Sequence, residues 1–361
     1  MRKYLEFWMG MDIHSHFGSD YMTGRSVGPW YAVNDFAMLW MANDYLRWTG
    51  KSDWLDHSVK GSRSIMSYLE KYATNWRNYK ADTGLADYGG IDNLLECVST
   101  YVHQVASLNA GNVFNLRFLA KLLAERGNFS YSESLVSEAQ ELLGKIQELY
   151  VAGGGFWRTR QLDGQEIETR HCYDFITVLN TIADDLTPVQ CKDMLGFFKK
   201  ELQTKNWIRA LSPKDQDAIF SVRPDHQWNG AYPAWPAQAV SGLYRLGQAE
   251  LAYDWMQGLA ASANQGPFGQ AHFVETAAPF EAGGARKAPP NMPYLTDWAV
   301  SSGGSWVNII IEGIFGVKAT IFDGITAQSQ FGPFDSTAEL HGLVYQGRRY
   351  SVTRKGIKPT E

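Results

Sequence analysis

From Tyr31 to Val317 apolar residues recur at spacings of three and four, the period of helices packed on one face. The stretch "YAVNDFAMLWMANDYLRWTG" (31–50) keeps that spacing and stops at Gly50. The pattern predicts further helices over 54–76 ("WLDHSVKGSRSIMSYLEKYATNW") and 105–128, the latter ending at Gly127. "SESLVSEAQELLGKIQELY" (132–150) opens with a serine and a glutamate spaced like a capping box. Helices are also expected over 171–185, 187–203, 236–247, 248–265 and 303–317; in the second of these Thr187 is the cap and Pro188 the first helical residue. The helices alternate. One of each pair follows a long loop rich in Gly, Pro and aromatics, and the other follows a short turn such as "TGKSD", "RGNFS" or "LGQAE". Hairpins of this kind, short-turned at one end and long-looped at the other, suggest a helical toroid with its long loops gathered on one face. After Val317 the period changes to two. "KATIFDGITAQSQF" and "AELHGLVYQGRRYSVTRKG" alternate apolar and polar residues between Gly and Asp turns and read as strands. The expected organisation is a helical domain over 1–317 and a short β-rich segment over 318–361.

Composition narrows the class of partner. Of 361 residues, 45% are hydrophobic and 20% charged, enough for a large core. The net charge of -5 and the absence of a basic run argue against a nucleic-acid surface. No apolar stretch is long enough to span a membrane, and the opening "MRKYLEFWMGMDIHSHFG" does not have the pattern of a signal peptide. Cys97, Cys172 and Cys191 are scattered, so neither a disulfide framework nor a zinc site is implied. Asp12, His14 and His16 in "DIHSH" make a thin case for a metal, and neither a metal nor any other cofactor is expected.

The 13 Trp and 18 Tyr change the picture more. "SVRPDHQWNGAYPAWPAQAV" places Gln227, Trp228, Asn229, Tyr232 and Trp235 on an irregular loop that runs into a helix. Large aromatics on a loop suit a flat, partly apolar ligand such as a sugar ring, although Trp235 is also close enough to the helix to pack inward. Other long loops carry Trp30, Tyr31, Asn34 and Asp35; Asp87, Tyr88, Asp92 and Asn93; and His272, Glu275, Glu281 and Arg286. Each precedes a helix, so carboxylates and aromatics should converge on one rim. That combination suits glycoside hydrolysis, in which one carboxylic acid protonates the leaving oxygen and a carboxylate activates water from the opposite face, the two roughly 6.5–9.5 Å apart in inverting enzymes. Asp92 also fits a helix cap, and Glu96 a structural position. Glu275, in the apolar context "AHFVETAAPF", is the favoured base, with Glu281 in reserve.

The phrases "GIDN" (90–93), "VASLNA" (105–110), "HQWNGAYPAWPAQAVSGLYRLG" (226–247), "FVETAAPFEAGGARKAP" and "GGSWVNIIIEG" occur in an order that resembles the six-hairpin, (α/α)6-barrel glycosidases, within the clan of trehalases and processing α-glucosidases. The resemblance covers about Val27 to Val317. It implies an all-α (α/α)6 toroid and an inverting, exo-acting hydrolase of an α-linked sugar, most naturally a glucoside, acting on an oligosaccharide or glycoside. It also implies Asp92 as general acid and Glu275 as general base. Trp228, Tyr232 and Trp235 would contact the sugar, joined by Trp30, Tyr31 and Asn34, with Tyr88, Gln227 and Asn229 also placed at the binding site. Asp92-Asn93 is followed by Leu-Leu-Glu rather than the clan's Ser-Pro-Arg, which leaves Asp87 as a rival acid. Twelve helices close such a barrel and the sequence shows nine or ten, so the first helices are expected to be missing. An α-L-rhamnosidase, a disaccharide phosphorylase using Arg286 and Lys287, and a barrel that binds sugar without turnover remain open alternatives.

Overall fold

The computed structural model describes residues 1–16, 18–20, 22–28, 30–61, 63–90, 98–218, 228, 230–232, 234–263, 273–274, 286–287 and 303–360. The described residues are about half helical, with several small antiparallel sheets. Its helices are α1 (Arg2–Met9), α2 (Asn34–Thr49), α3 (Ile65–Thr74), α4 (Ala106–Glu125), α5 (Phe129–Glu148), α6 (Cys172–Thr181), α7 (Pro188–Phe197), α8 (Ala234–Arg245), α9 (Ala249–Ala263) and α10 (Gly303–Asn308). A π-helical turn, Ile309–Ile314, extends α10.

Sequence and structure agree on most of these elements and differ instructively on three. Between Trp54 and Trp76 the helix starts only at Ile65. Lys60 (φ 50°) and Gly61 (φ 71°) turn the chain back, so that Ser58–Val59 pairs with Arg63–Ser64, and the Ser64 side chain then caps α3 by accepting from the Ser67 amide. In α5 the helix starts at Phe129, ahead of the expected capping box, and Asn128 makes no side-chain cap bond. Ser132 is instead committed to α4, donating its hydroxyl to the Ala120 carbonyl at 2.8 Å. Arg2–Met9, where the sequence predicted no element, is helical with Leu5 and Met9 buried. By contrast, Thr187, Pro188 and Gln190 form the reciprocal capping box expected at α7.

The helices pack in a regular order. α2 packs against α4, α4 against α6, α6 against α8, and α8 against the α10 extension. Arg47 of α2 reaches Glu312 of that extension at 2.5 Å, bringing the series back to α2. α3, α5 and α9 follow α2, α4 and α8 and pack on them. α4 is buried on nearly every side, which is why its sequence is apolar or small all round rather than striped. Close approach needs small residues: a Cβ on Gly111 of α4 would meet the Phe36 ring at 3.0 Å, and one on Gly242 of α8 would meet Leu179 of α6 at 3.0 Å.

After the helices, Val317–Ala319 pairs with Ile325–Ala327, and Leu340–Tyr345, Arg348–Thr353 and Gly356–Thr360 form a second sheet. A small core of Phe315, Val317, Phe331, Leu343 and Val352 packs on Trp48 and Ile311. The Gln346 amide donates to the Trp48 carbonyl at the end of α2, tying the segment to the helices.

Candidate functional site

Chemistry gathers where the chain enters α2, α4, α6 and α8. Ahead of α2, Trp30 stacks on Tyr79 (ring centres 4.6 Å apart, 15° between planes), and both rings lie about 6 Å from Tyr88. Trp30 and Tyr31 are half-buried, whereas Tyr88 is buried. The Asn112 amide of α4 donates to the Tyr88 hydroxyl at 2.6 Å, and burial lifts the Tyr88 phenol well above its ordinary range. Asn34, the first residue of α2, donates its side-chain amide to the carbonyls of Ile13 and His16, clamping the opening segment onto this helix.

Asp35, next in α2, is buried with two polar partners. His14 Nε2 lies 2.7 Å from Asp35 Oδ1, and Asn75 Nδ2 donates to Asp35 Oδ2 at 2.7 Å. His14 also meets the Tyr72 ring edge-on. Burial, reinforced by the nearby Asp35 charge, raises the Tyr72 phenol. His16 faces the Gly28 carbonyl instead, so the two histidines of "DIHSH" go to separate partners. Among the described residues no group of three or more His, Cys, Asp or Glu is arranged to hold a metal ion.

Residues 98–105 link this cluster to a second one. His103 Nδ1 lies 2.9 Å from Asp87 Oδ1, which also accepts from the Gly89 amide. His103 sits in the left-handed region (φ 61°), held by paired backbone bonds: Tyr88 N donates to its carbonyl and its own amide donates to Gly89. Two residues earlier, Tyr101 packs on His171 (4.9 Å) and donates its hydroxyl to Asp174 at 2.7 Å. Asp174 also accepts from the Ser107 amide in the first turn of α4. His171 caps α6 by accepting from the Tyr173 amide and meets Trp235 of α8 edge-on at 5.5 Å. Trp235 packs in turn against Tyr173 and Tyr232. One carboxylate, Asp174, thus ties the entrances of α4 and α6 together.

Charged groups support the rear of this loop. Asp217 takes bonds from the Ser99 hydroxyl and from the amide and hydroxyl of Thr100. Glu201 accepts from Ser212, Lys214 and Arg170. Burial opposes its ionisation, but those donors hold the Glu201 carboxyl below its usual range. Asp215 moves the other way, because burial outweighs the bonds it accepts from the Arg170 and Asp217 amides.

Several site residues expected from sequence meet here. Trp30 and Tyr88 share one cluster, while Tyr232 and Trp235 share the other. Trp235 is only 5% exposed and packs inward at the start of α8, and Asn34 serves the backbone clamp. Trp228 is half-buried. Asp92, Gln227, Asn229 and Glu275 lie outside the described residues, as do Asn93, Glu96, Cys97, His272 and Glu281. Asp87, the rival acid, is committed to His103 and Gly89 through one oxygen. Sequence reasoning passed over Asn75, Tyr101, His103, Ser107, His171 and Asp174, whose shared signal is a polar residue just before, or in the first turn of, an otherwise apolar helix or helical turn.

No family model matches the chain, and no curated protein matches it. Solved structures do. One described as a sialidase aligns with a TM-score of 0.70 at 12% identity, covering 89% of this chain and 29% of that one. A GH78-family rhamnosidase from a Bacillus species aligns at 0.57 and 14% identity, covering 89% and 30%. A rhamnosidase from Klebsiella oxytoca, solved with rhamnose bound, aligns at 0.57 and 13% identity, covering 85% and 53%. The chain therefore spans between about a third and a half of the length of these structures. What it shares with these proteins, all named as glycosidases, is the fold.

Proposed function

We propose that this chain is the helical part of an inverting, exo-acting glycoside hydrolase that cleaves an α-linked sugar. The carrying observation is that the half-buried rings of Trp30, Tyr79 and Tyr232 stand, with hydrogen-bonded carboxylates and histidines, at the entrances of α2 and α8, backed by the buried Tyr88 and Trp235. Aromatic rings beside fixed polar groups suit a pyranose, which has apolar faces and a hydroxyl rim. In this reading the packing series from α2 to the α10 extension is the inner wall of an (α/α)6 toroid, 1–317 is the catalytic domain and 318–361 an accessory β segment. Asp92 donates the proton to the leaving oxygen and Glu275 draws a proton from water. Trp30, Tyr31 and Trp228 line the sugar site together with Gln227 and Asn229. The fold likeness to two rhamnosidases is a reason to try an α-L-rhamnoside alongside an α-glucoside.

The test is release of nitrophenol from aryl α-glucosides, α-mannosides and α-L-rhamnosides, with trehalose alongside. Wild type is compared with Asp92→Asn and Glu275→Gln. Loss of turnover in both variants with sugar binding retained supports the pair. Turnover surviving Asp92→Asn moves the acid to another carboxylate at the rim, and an absolute requirement for phosphate replaces hydrolysis with phosphorolysis.

A further inference from the structure

Two histidines at the site share one construction. His14 presents Nε2 to Asp35, and His103 presents Nδ1 to Asp87. A carboxylate accepts only, so it fixes the proton on the facing ring nitrogen and leaves the other nitrogen of the neutral ring as an acceptor. Among the described residues that second nitrogen, Nδ1 of His14 and Nε2 of His103, has no hydrogen-bond partner. The side chains are 14% and 17% exposed, so neither is sealed in the core and neither is a free surface group. The two pairs lie near the same rings: Asp35 is close enough to Tyr79 and Tyr88 to raise both phenols beyond what burial does, and His103 accepts at its carbonyl from the Tyr88 amide. Much backbone is committed to holding the rings still. Asn34 fastens the carbonyls on either side of His14, and His103 is kept in a conformation that residues other than glycine seldom adopt. A core histidine needs neither a spare acceptor nor a strained support.

We propose that His14 and His103 are hydroxyl-binding residues for a sugar resting against Trp30, with Asp35 and Asp87 as the positioning residues that set their tautomers. This rests on the glycosidase reading and deepens it: specificity for hydroxyl pattern would come from two fixed acceptors near an aromatic platform. The sugar hydroxyl donates to the imidazole, and no bond is made or broken in this contact.

The test uses His14→Gln, whose amide still donates to Asp35, and His103→Asn, because asparagine tolerates the left-handed backbone. Both keep a donor to the carboxylate and leave no acceptor at the position of the outward ring nitrogen, because the amide oxygen that remains sits elsewhere. Tryptophan fluorescence is titrated with L-rhamnose and D-glucose, beside turnover of their aryl α-glycosides and a thermal melt. The expected result is a rise of about tenfold in Kd or KM for each variant, the size of one lost hydrogen bond, with kcat and Tm little changed. Asp87→Asn should raise KM in the same direction. Unchanged affinity in both variants of a turning-over enzyme overturns the proposal and leaves the hydrolase reading standing. A loss confined to one variant overturns it for the other residue. Sugar binding that depends on both histidines without any turnover keeps the proposal and removes the hydrolase reading, and a wild type that binds neither sugar overturns both.

Discussion

Asp174 carries a prediction that joins fold to site. Its carboxyl is 1% exposed and accepts from the Tyr101 hydroxyl at 2.7 Å and the Ser107 amide at 2.9 Å. Replacement by alanine removes two hydrogen bonds to a buried acceptor and strands two donors away from water, each costing about 1–3 kcal/mol. Relaxation recovers part of this, so a net loss of about 4 kcal/mol is expected. At about 2.1 cal/mol/K per residue, a chain of 361 residues has an unfolding entropy of about 0.76 kcal/mol/K, so 4 kcal/mol lowers Tm by about 5 °C. Asp174→Asn can keep an oxygen at the one position, Oδ1, that accepts both bonds, and should lose less than the alanine variant. The assay is calorimetry on the two variants and wild type, with near-ultraviolet circular dichroism to follow the Tyr101, His171 and Trp235 cluster. The site should suffer as well, because Tyr101 and His103 share the segment that Asp174 anchors. A Tm within about 1 °C of wild type for Asp174→Ala would refute the claim that this carboxylate ties α4 to α6.

Three other perturbations have defined outcomes. Gly155→Ala should destabilise by at least about 2 kcal/mol, because φ is 76° and the new Cβ would lie 2.2 Å from the Asp193 carbonyl oxygen; urea denaturation reads this directly. Glu201 has a carboxyl held below its ordinary range, so it contributes stability above the unfolded value and loses it as pH falls through the folded one. Glu201→Gln should therefore be less stable than wild type at pH 7, and the gap should narrow below about pH 4.5; a gap that widens with acid would contradict the sign. Trp228→Ala should weaken sugar binding more than it lowers Tm, and equal losses would mark Trp228 as a packing residue.

Much of the fold was legible because helix burial leaves a short-range trace. The three-and-four spacing located α2 and α4 through α9, and Thr187-Pro188 with Gln190 marked the start of α7, since a cap is satisfied by residues a few positions away. The failures were also local in origin but tertiary in cause. Lys60-Gly61 carries a hairpin turn inside an apparent helix, and Ser132 spends its hydroxyl on α4 instead of on a cap. At the site, sequence identified Trp30, Tyr88, Tyr232 and Trp235 as aromatics on helix-entry loops and noted that Trp235 could pack inward, as it does, yet it did not distinguish Tyr88, which is also buried, from Trp30, which is partly open.

The sequence by itself determined the mostly helical class, the strand-rich end and the aromatic loops, because period and composition are properties of neighbours in the chain. Only the tertiary structure decided which polar residues work together. Asp35 meets Asn75 across 40 residues, Asp174 meets Ser107 across 67, and Asp217 holds Ser99 across 118. Nothing in the spacing of such residues announces their contact. The first two pairs are buried at helix entrances that packing alone brings together, and a buried polar group must find a partner wherever the fold supplies one.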